Sequence, residues 1–314
     1  MNTPAIELDV THETTYRYTD RVSESHHVAC LQPLELPAQS VLAYQLMIEP
    51  EAAQRTEHRD AFGNLRVMFA HDTPYEHLTV RAHSRVRVRA PDIDRDAASL
   101  AWETQRDQLR YSAGAPFIPE SEFSFASPYV PMHAELADYA ALSLTPGRGL
   151  LDGAIDLMQR IYADFSYAPD ATDVDTPLLE AFVQRAGVCQ DLAHVMIGAL
   201  RAAGLAARYV SGYLLTDPPP GQARMVGADA SHAWVSVWCG PAGWVDLDPT
   251  NNVLPSTAHV TLAIGRDYGD VAPLRGVIRG AGKDILDVAV TVAPVTHGGM
   301  GRMQTLAVQD PNRP

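Results

Sequence analysis

Gly187-Val188-Cys189-Gln190-Asp191 runs straight into Leu192, Val195, Met196, Ala199 and Leu200, and this stretch decides how the chain is read. Apolar residues at three- and four-residue spacing describe an amphipathic helix. Gly204 is a suitable C-terminal cap for it. The apolar period starts immediately after Cys189, and Gly187 gives the backbone freedom of a tight entry, so Cys189 falls in the first turn. Unsatisfied N–H groups and the helix macrodipole favour negative charge there, which promotes the thiolate, the reactive form of a cysteine. A helical cysteine with no other partner reads more simply as a small core hydrophobe. The nucleophile reading therefore needs a base.

The base is found downstream. His232-Ala233-Trp234-Val235-Ser236-Val237-Trp238 alternates as a strand, with His232, Trp234, Ser236 and Trp238 on one face. A five-residue turn, Cys239 to Gly243, then leads into Trp244–Asp248 and a stop at Pro249. A hairpin that pairs Trp238 with Trp244 carries Asp248 opposite Trp234, and so diagonal to His232 on the same face. Asp246 shares that face but lies further from His232. A carboxylate in Asp248's place can accept one ring N–H and fix the tautomer of the imidazole, as a thiol's base requires. A slip of one residue would place the pair on opposite faces.

Outward from this core, the first third of the chain reads as short strands. Glu7–Tyr18, Val41–Glu49, Leu65–Ala70 and Leu78–Val88 are separated by turn clusters at Pro33–Pro37 and Asp60–Asn64. Arg85, Arg87 and Arg89 alternate with Val86 and Val88, which describes a strand with a solvated Arg face. His26 and His27, adjacent in a strand, face opposite sides and cannot chelate one metal together. The texture changes between Asp92 and Pro131, and a domain boundary is expected near residue 115. Helical spacing follows in Pro131–Ala141, Gly149–Ala163 and Pro177–Arg185; beyond the cysteine helix come a strand at Ala207–Leu215 and a Pro-rich acidic loop at Asp217–Asp229. This order predicts an α+β protein. A β-rich, sandwich-like domain (1–115) precedes a core (116–295) in which a helix packs on an antiparallel sheet, with a tail at 296–314.

Composition narrows the function classes. The 314 residues carry 24 basic and 38 acidic side chains, a formal net charge of −14, which argues against a nucleic-acid surface. Lys283 is the single lysine. No run of 18 apolar residues and no N-terminal apolar segment is present, so a cytoplasmic protein that avoids the membrane is expected. Three widely spaced cysteines argue against a disulfide framework or a zinc site. Cys30 and Cys239 have neither a helix start nor a basic partner and read as structural, and His194 reads as a core histidine. The histidines form no His-Glu-x-x-His, so no metal or cofactor is expected.

Taken together, Gly187–Asp191, Arg208-Tyr209-Val210-Ser211-Gly212-Tyr213, Ser231-His232-Ala233-Trp234 and Gly243-Trp244-Val245-Asp246-Leu247-Asp248-Pro249-Thr250 resemble the transglutaminase-like superfamily. The strand-rich start, with Tyr16-Arg17-Tyr18 and His26-His27, resembles the N-terminal domain of its bacterial members. The resemblance implies a papain-like core with Cys189 as nucleophile, His232 as base and acid, and Asp248 as orienter. The Cys189 backbone N–H is the expected oxyanion donor. Tyr167 is the candidate for a second donor, Gln190 a further oxyanion or substrate contact, and Trp234 and Trp244 candidate walls. The expected chemistry is acyl transfer through a thioester on a peptide or protein substrate, resolved by water. An amine-accepting transglutaminase and a non-catalytic peptide-binding module are the alternatives. Oligomeric state is not legible.

Overall fold

The computed structural model describes residues 5–114, 116–216 and 231–295. It begins with a 25-residue strand, β1 (Ala5–Ala29), whose inward positions include Leu8, Val10, His12 and Thr14. β2 (Gln39–Glu49), β3 (Gln54–Arg59), β4 (Leu65–His71) and β5 (Tyr75–Arg89) join it in the order β2-β5-β1-β4-β3. Each of the four strands read from the sequence lies within one of these. β3 was missed because Gln54-Arg55-Thr56-Glu57-His58-Arg59 is exposed along its length and carries no apolar period. The Arg face of β5 is solvated and also paired: Arg85 meets Asp9 at 2.8 Å and Arg87 meets Glu7 at 2.6 Å across the β1–β5 register.

Helices then take over. α1 (Arg95–Ala98), α2 (Trp102–Leu109), α3 (Ala134–Ala141) and α4 (Leu150–Asp164) lead to a two-residue strand β6 (Ser166–Tyr167). α5 (Leu178–Gln184) and β7 (Ala186–Gly187) precede α6 (Cys189–Ala202). β8 (Ala207–Leu214), β9 (Ser231–Trp238), β10 (Trp244–Leu247) and β11 (His259–Gly265) form an antiparallel sheet ordered β10-β9-β8-β11. α6 lies on β8 and β9 and is covered from outside by α3, α4 and α5. The amphipathic reading of α6 is therefore too weak, since every residue from Gln190 to Arg201 is buried. Its polar members are satisfied instead. Arg201 donates to the carbonyls of Phe123, Ala207 and Arg266 and to Ser127 Oγ.

The assignment of residues 116–295 to a single core does not follow the sheets. After α7 (Tyr268–Val271), β12 (Leu274–Gly280) and β13 (Asp284–Pro294) return to the first sheet and pair with the two ends of β1. Alternating Val288, Val290 and Val292 announce a strand, but not its partner some 280 positions upstream. One continuous apolar core runs from Leu8 and Val292 in the first sheet through Val195 of α6 to Val235 in the second sheet. The two sheets thus share a packed boundary, and a cleft lined from both opens at it. The acidic loop and the C-terminal tail read from the sequence lie outside the described residues.

Candidate active site

Cys189 occupies the first position of α6, where its backbone N–H has no intrahelical partner. Val188, the N-cap, has no side-chain acceptor, and the helix start is secured from the other direction. The Asp191 carboxylate accepts the Val188 N–H at 2.8 Å and the Thr172 hydroxyl at 2.7 Å. Gly187 is required here by proximity rather than by its dihedral angles, because a Cβ at this position would fall 2.5 Å from Asp191 Oδ2. Upstream, β6 pairs with β7 in parallel and sets Tyr167 beside Gly187.

The hairpin register is the expected one. Trp244 pairs with Trp238, Asp246 with Ser236 and Leu247 with Val235. The five-residue connection closes through Cys239 N–H to Gly243 O at 2.8 Å. One residue further, His232 Nε2 meets Asp248 Oδ2 at 2.7 Å. Asp248 is fully buried and saturated with donors. Its Oδ2 also receives Asn251 Nδ2 at 2.7 Å and His259 Nε2 at 3.1 Å, while Oδ1 receives the backbone N–H groups of Thr250 and Asn251. Asn251 Nδ2 lies 3.2 Å from His232 Nε2 as well, but both atoms donate, and the carboxylate is the acceptor they share.

These contacts set the charges. Burial alone would raise the Asp248 pKa; hydrogen bonds from His232 and His259 outweigh it and hold the carboxylate well below the usual range. Burial alone would likewise lower His232, yet the hydrogen bonds to Asp248 and Cys189 raise its pKa to about 10. His232 is thus an imidazolium near neutral pH, in side-chain contact with the thiol. With Nε2 committed to Asp248, Nδ1 is the nitrogen left to face the sulfur. His232, Asp248 and His259 also bring potential ligand atoms within 4.8 Å of one another. Both imidazole Nε2 atoms point at one carboxylate oxygen, the arrangement of two donors on an acceptor rather than of three ligands around an ion.

The thiol and the imidazole open into a cleft of about 340 Å³. Of the remaining candidates, Tyr167 and Gln190 line it, and Gln190 also donates to Val174 O at 3.0 Å. Trp234 does not line the cleft. Its indole is completely buried against Leu34, Val210 and Ile264, donates to Asp246 Oδ2 at 3.0 Å, and meets the His259 ring edge to face with centroids 5.3 Å apart. It backs the histidines instead of facing solvent. Trp244 packs on Phe123, Trp238 and the Arg208 guanidinium, away from the cleft. His194 is a satisfied core histidine that accepts the Tyr268 N–H at 3.2 Å. Cys30 and Cys239 are buried, and burial pushes their thiols up to about 11 and about 12.

Comparison with known proteins places the chain in a family. Residues 8–87 match the bacterial transglutaminase-like N-terminal region, and residues 139–249 match the transglutaminase-like superfamily. An uncharacterised protein of Mycobacterium tuberculosis (strain ATCC 25618 / H37Rv) is 41% identical over 293 residues, 91% of this chain and 92% of that one. The chain belongs to the transglutaminase-like superfamily. A candidate cysteine protease from Cytophaga hutchinsonii shares the fold of this superfamily member over 95% of this chain and 93% of the other, with a TM-score of 0.73 at 19% identity. A protein-glutamine gamma-glutamyltransferase of Pseudomonas aeruginosa is 39% identical over 103 residues, 32% of this chain but 15% of that much longer protein. Within the described residues, no helix is long and apolar enough to cross a membrane.

Sequence reasoning missed three contributors. His259 and Asn251, which complete the Asp248 shell, lie in or beside the segment after Pro249, where no periodic pattern marks them. The opposite wall of the cleft comes from His12, Thr14 and Tyr16 of β1 and Leu286 and Val288 of β13. The two-residue spacing of His12, Thr14 and Tyr16 was the available signal that they share a face.

Proposed function

We propose that the protein is a cysteine-dependent acyl-transfer enzyme that attacks a peptide or carboxamide carbonyl and resolves the thioester with water, as a protease or amidase. The observation that carries this reading is the His232 imidazole bonded at 2.7 Å to a fully buried Asp248 while its ring contacts the thiol at the start of α6. The attacking species is the thiolate, with the His232 imidazolium as its counter-ion. Sulfur adds to the carbonyl carbon, and the negative charge that moves onto oxygen is met by the free Cys189 N–H. Collapse of that intermediate breaks the C–N bond. His232 gives its proton to the leaving nitrogen, so ammonia or an amine departs and a thioester remains. His232, now neutral, takes a proton from water as the oxygen attacks the thioester. The acid product leaves and the thiolate–imidazolium pair is restored.

An amine in place of water would make the same intermediate the donor for transglutamination. The partial match to the glutamyltransferase of Pseudomonas aeruginosa keeps that reading in play. The experiment that separates them supplies a neutral glutaminyl peptide with and without a primary amine and follows ammonia release and product mass. The hydrolytic reading expects a gain of 1 Da with the amine present. Incorporation of the amine at comparable yield would replace it with the transferase reading. A peptide bound without any covalent change, together with an unreactive Cys189, would favour the binding module.

A further inference from the structure

The wall of the cleft opposite the thiol belongs to the first sheet. Tyr16 pairs with Leu286 and Thr14 with Val288 in the β1–β13 register, so these four side chains project from one face toward Cys189 and His232. Leu286 and Val288 are each about half exposed (50% and 52%), although they sit beside a reactive site. Tyr167, Tyr209 and Tyr268 extend the same surface on the core side, and Pro273 and Leu274 extend it at the start of β12. Among the described residues, the lining includes no Asp, Glu, Lys or Arg. The charged neighbours Arg17 and Asp287 alternate to the other face of the sheet, where they neutralise each other at 2.6 Å. The two polar groups at the floor of the wall are already occupied. His12 bonds Tyr213 Oη at 3.0 Å and Thr14 Oγ1 at 3.2 Å, and burial keeps its imidazole neutral, with a pKa of about 4.

We infer that Tyr16, Leu286 and Val288 form an acyl-donor subsite for an uncharged apolar or aromatic side chain adjacent to the scissile carbonyl. This inference rests on the acyl-transfer reading and assigns its substrate class. A charged side chain entering the wall formed by Tyr16, Leu286 and Val288 loses water and, among the described residues of that wall, meets no carboxylate, ammonium or guanidinium to compensate. An aliphatic or aromatic one covers exposed apolar surface whose position next to the thiol would otherwise be unexplained. The subsite also gives the first sheet a function, because neither Leu286 nor Val288 belongs to the catalytic core.

The test uses the full chain and p-nitrophenyl esters of N-acetylated Leu, Phe, Asp and Lys. These esters need little leaving-group assistance and report acylation of Cys189 as a burst of p-nitrophenol. The expected result is a rate constant for Leu and Phe at least about tenfold above those for Asp and Lys. Leu286→Asp should erase most of that preference and favour the Lys ester. Val277→Asp, on an exposed position of β12 outside the cleft, should leave the preference intact. The iodoacetamide alkylation rate of Cys189, recorded in parallel, reports the thiol itself. Equal rates for all four esters, or an unchanged preference in Leu286→Asp, with the burst retained, would overturn the subsite and leave the acyl-transfer reading standing. Absence of a burst with every ester, with Cys189 no more alkylated than Cys30, would overturn both.

Discussion

At the start of β9, His232 is buried against the Asp248 carboxylate and its pKa is raised to about 10. Halfway along α6, His194 is buried among Tyr129, Tyr209 and Tyr268, and its pKa is lowered to about 3 by burial and by the Arg201 charge. The two imidazoles belong to the same core and are similarly hidden from water. Burial alone strips the charge from a histidine. A buried, donor-saturated carboxylate restores it, and this separates the Cys189 end of the core from its packed middle.

Changing the two regions in turn sharpens that contrast. The largest effect is expected for Cys189→Ser, which removes the proposed nucleophile and should cost at least about 10⁴-fold in acyl-transfer turnover, measured by product release. Asp248→Asn should cost about 10³- to 10⁴-fold, through the wrong tautomer and orientation of His232. It should also change the pH dependence of stability in a defined way. In the wild type, the folded chain binds the His232 proton more tightly than the unfolded chain does, so that stabilisation is complete below pH 6.5 and is lost as the pH rises to about 10. The Asp248 contribution is present above the ordinary carboxylate value and is lost on acidification. The Tm difference between wild type and Asp248→Asn should therefore peak between roughly pH 4 and 6.5 and shrink on either side. A difference that grows above pH 8 would contradict the charge assignment.

Smaller effects are expected further from the thiol. His259→Gln weakens one of the three side-chain donors on Asp248 Oδ2. It should lower kcat about 10- to 100-fold with little change in KM, the cost of one hydrogen bond to a charged group. His194→Gln is the control from the packed region. It should lower Tm through the weakened bond to the Tyr268 N–H, yet leave the pH profile of turnover where it was. A shifted profile in this variant would break the distinction between the two histidines.

The parts of this account that were legible in the sequence were local ones. Cys189 could be placed at a helix start because the apolar period begins right after it, and His232 could be placed near Asp248 because strand alternation and a five-residue turn leave little freedom of register. Trp234 shows where that reasoning ends. Its face was assigned correctly, but Leu34, which covers it, is 200 positions away and no local pattern announces the contact. β13 illustrates the same limit, since its period two marks a strand without naming its partner, and β12 carries no such alternation at all. The wall they help build, and the His259 contact to Asp248, exist only once distant segments pack together.

The central claim is that one thiol of three is activated, because it alone has a helix start and an imidazolium beside it. Cys30 and Cys239 are both buried and held protonated by that burial. The most direct measurement is the rate of iodoacetamide alkylation of each cysteine near pH 7, resolved by mass spectrometry of the native protein and of His232→Ala. The account predicts that Cys189 reacts at least about 100-fold faster than the other two, and that His232→Ala removes most of this advantage. Comparable labelling of all three cysteines in the native protein, unchanged by His232→Ala, would contradict it.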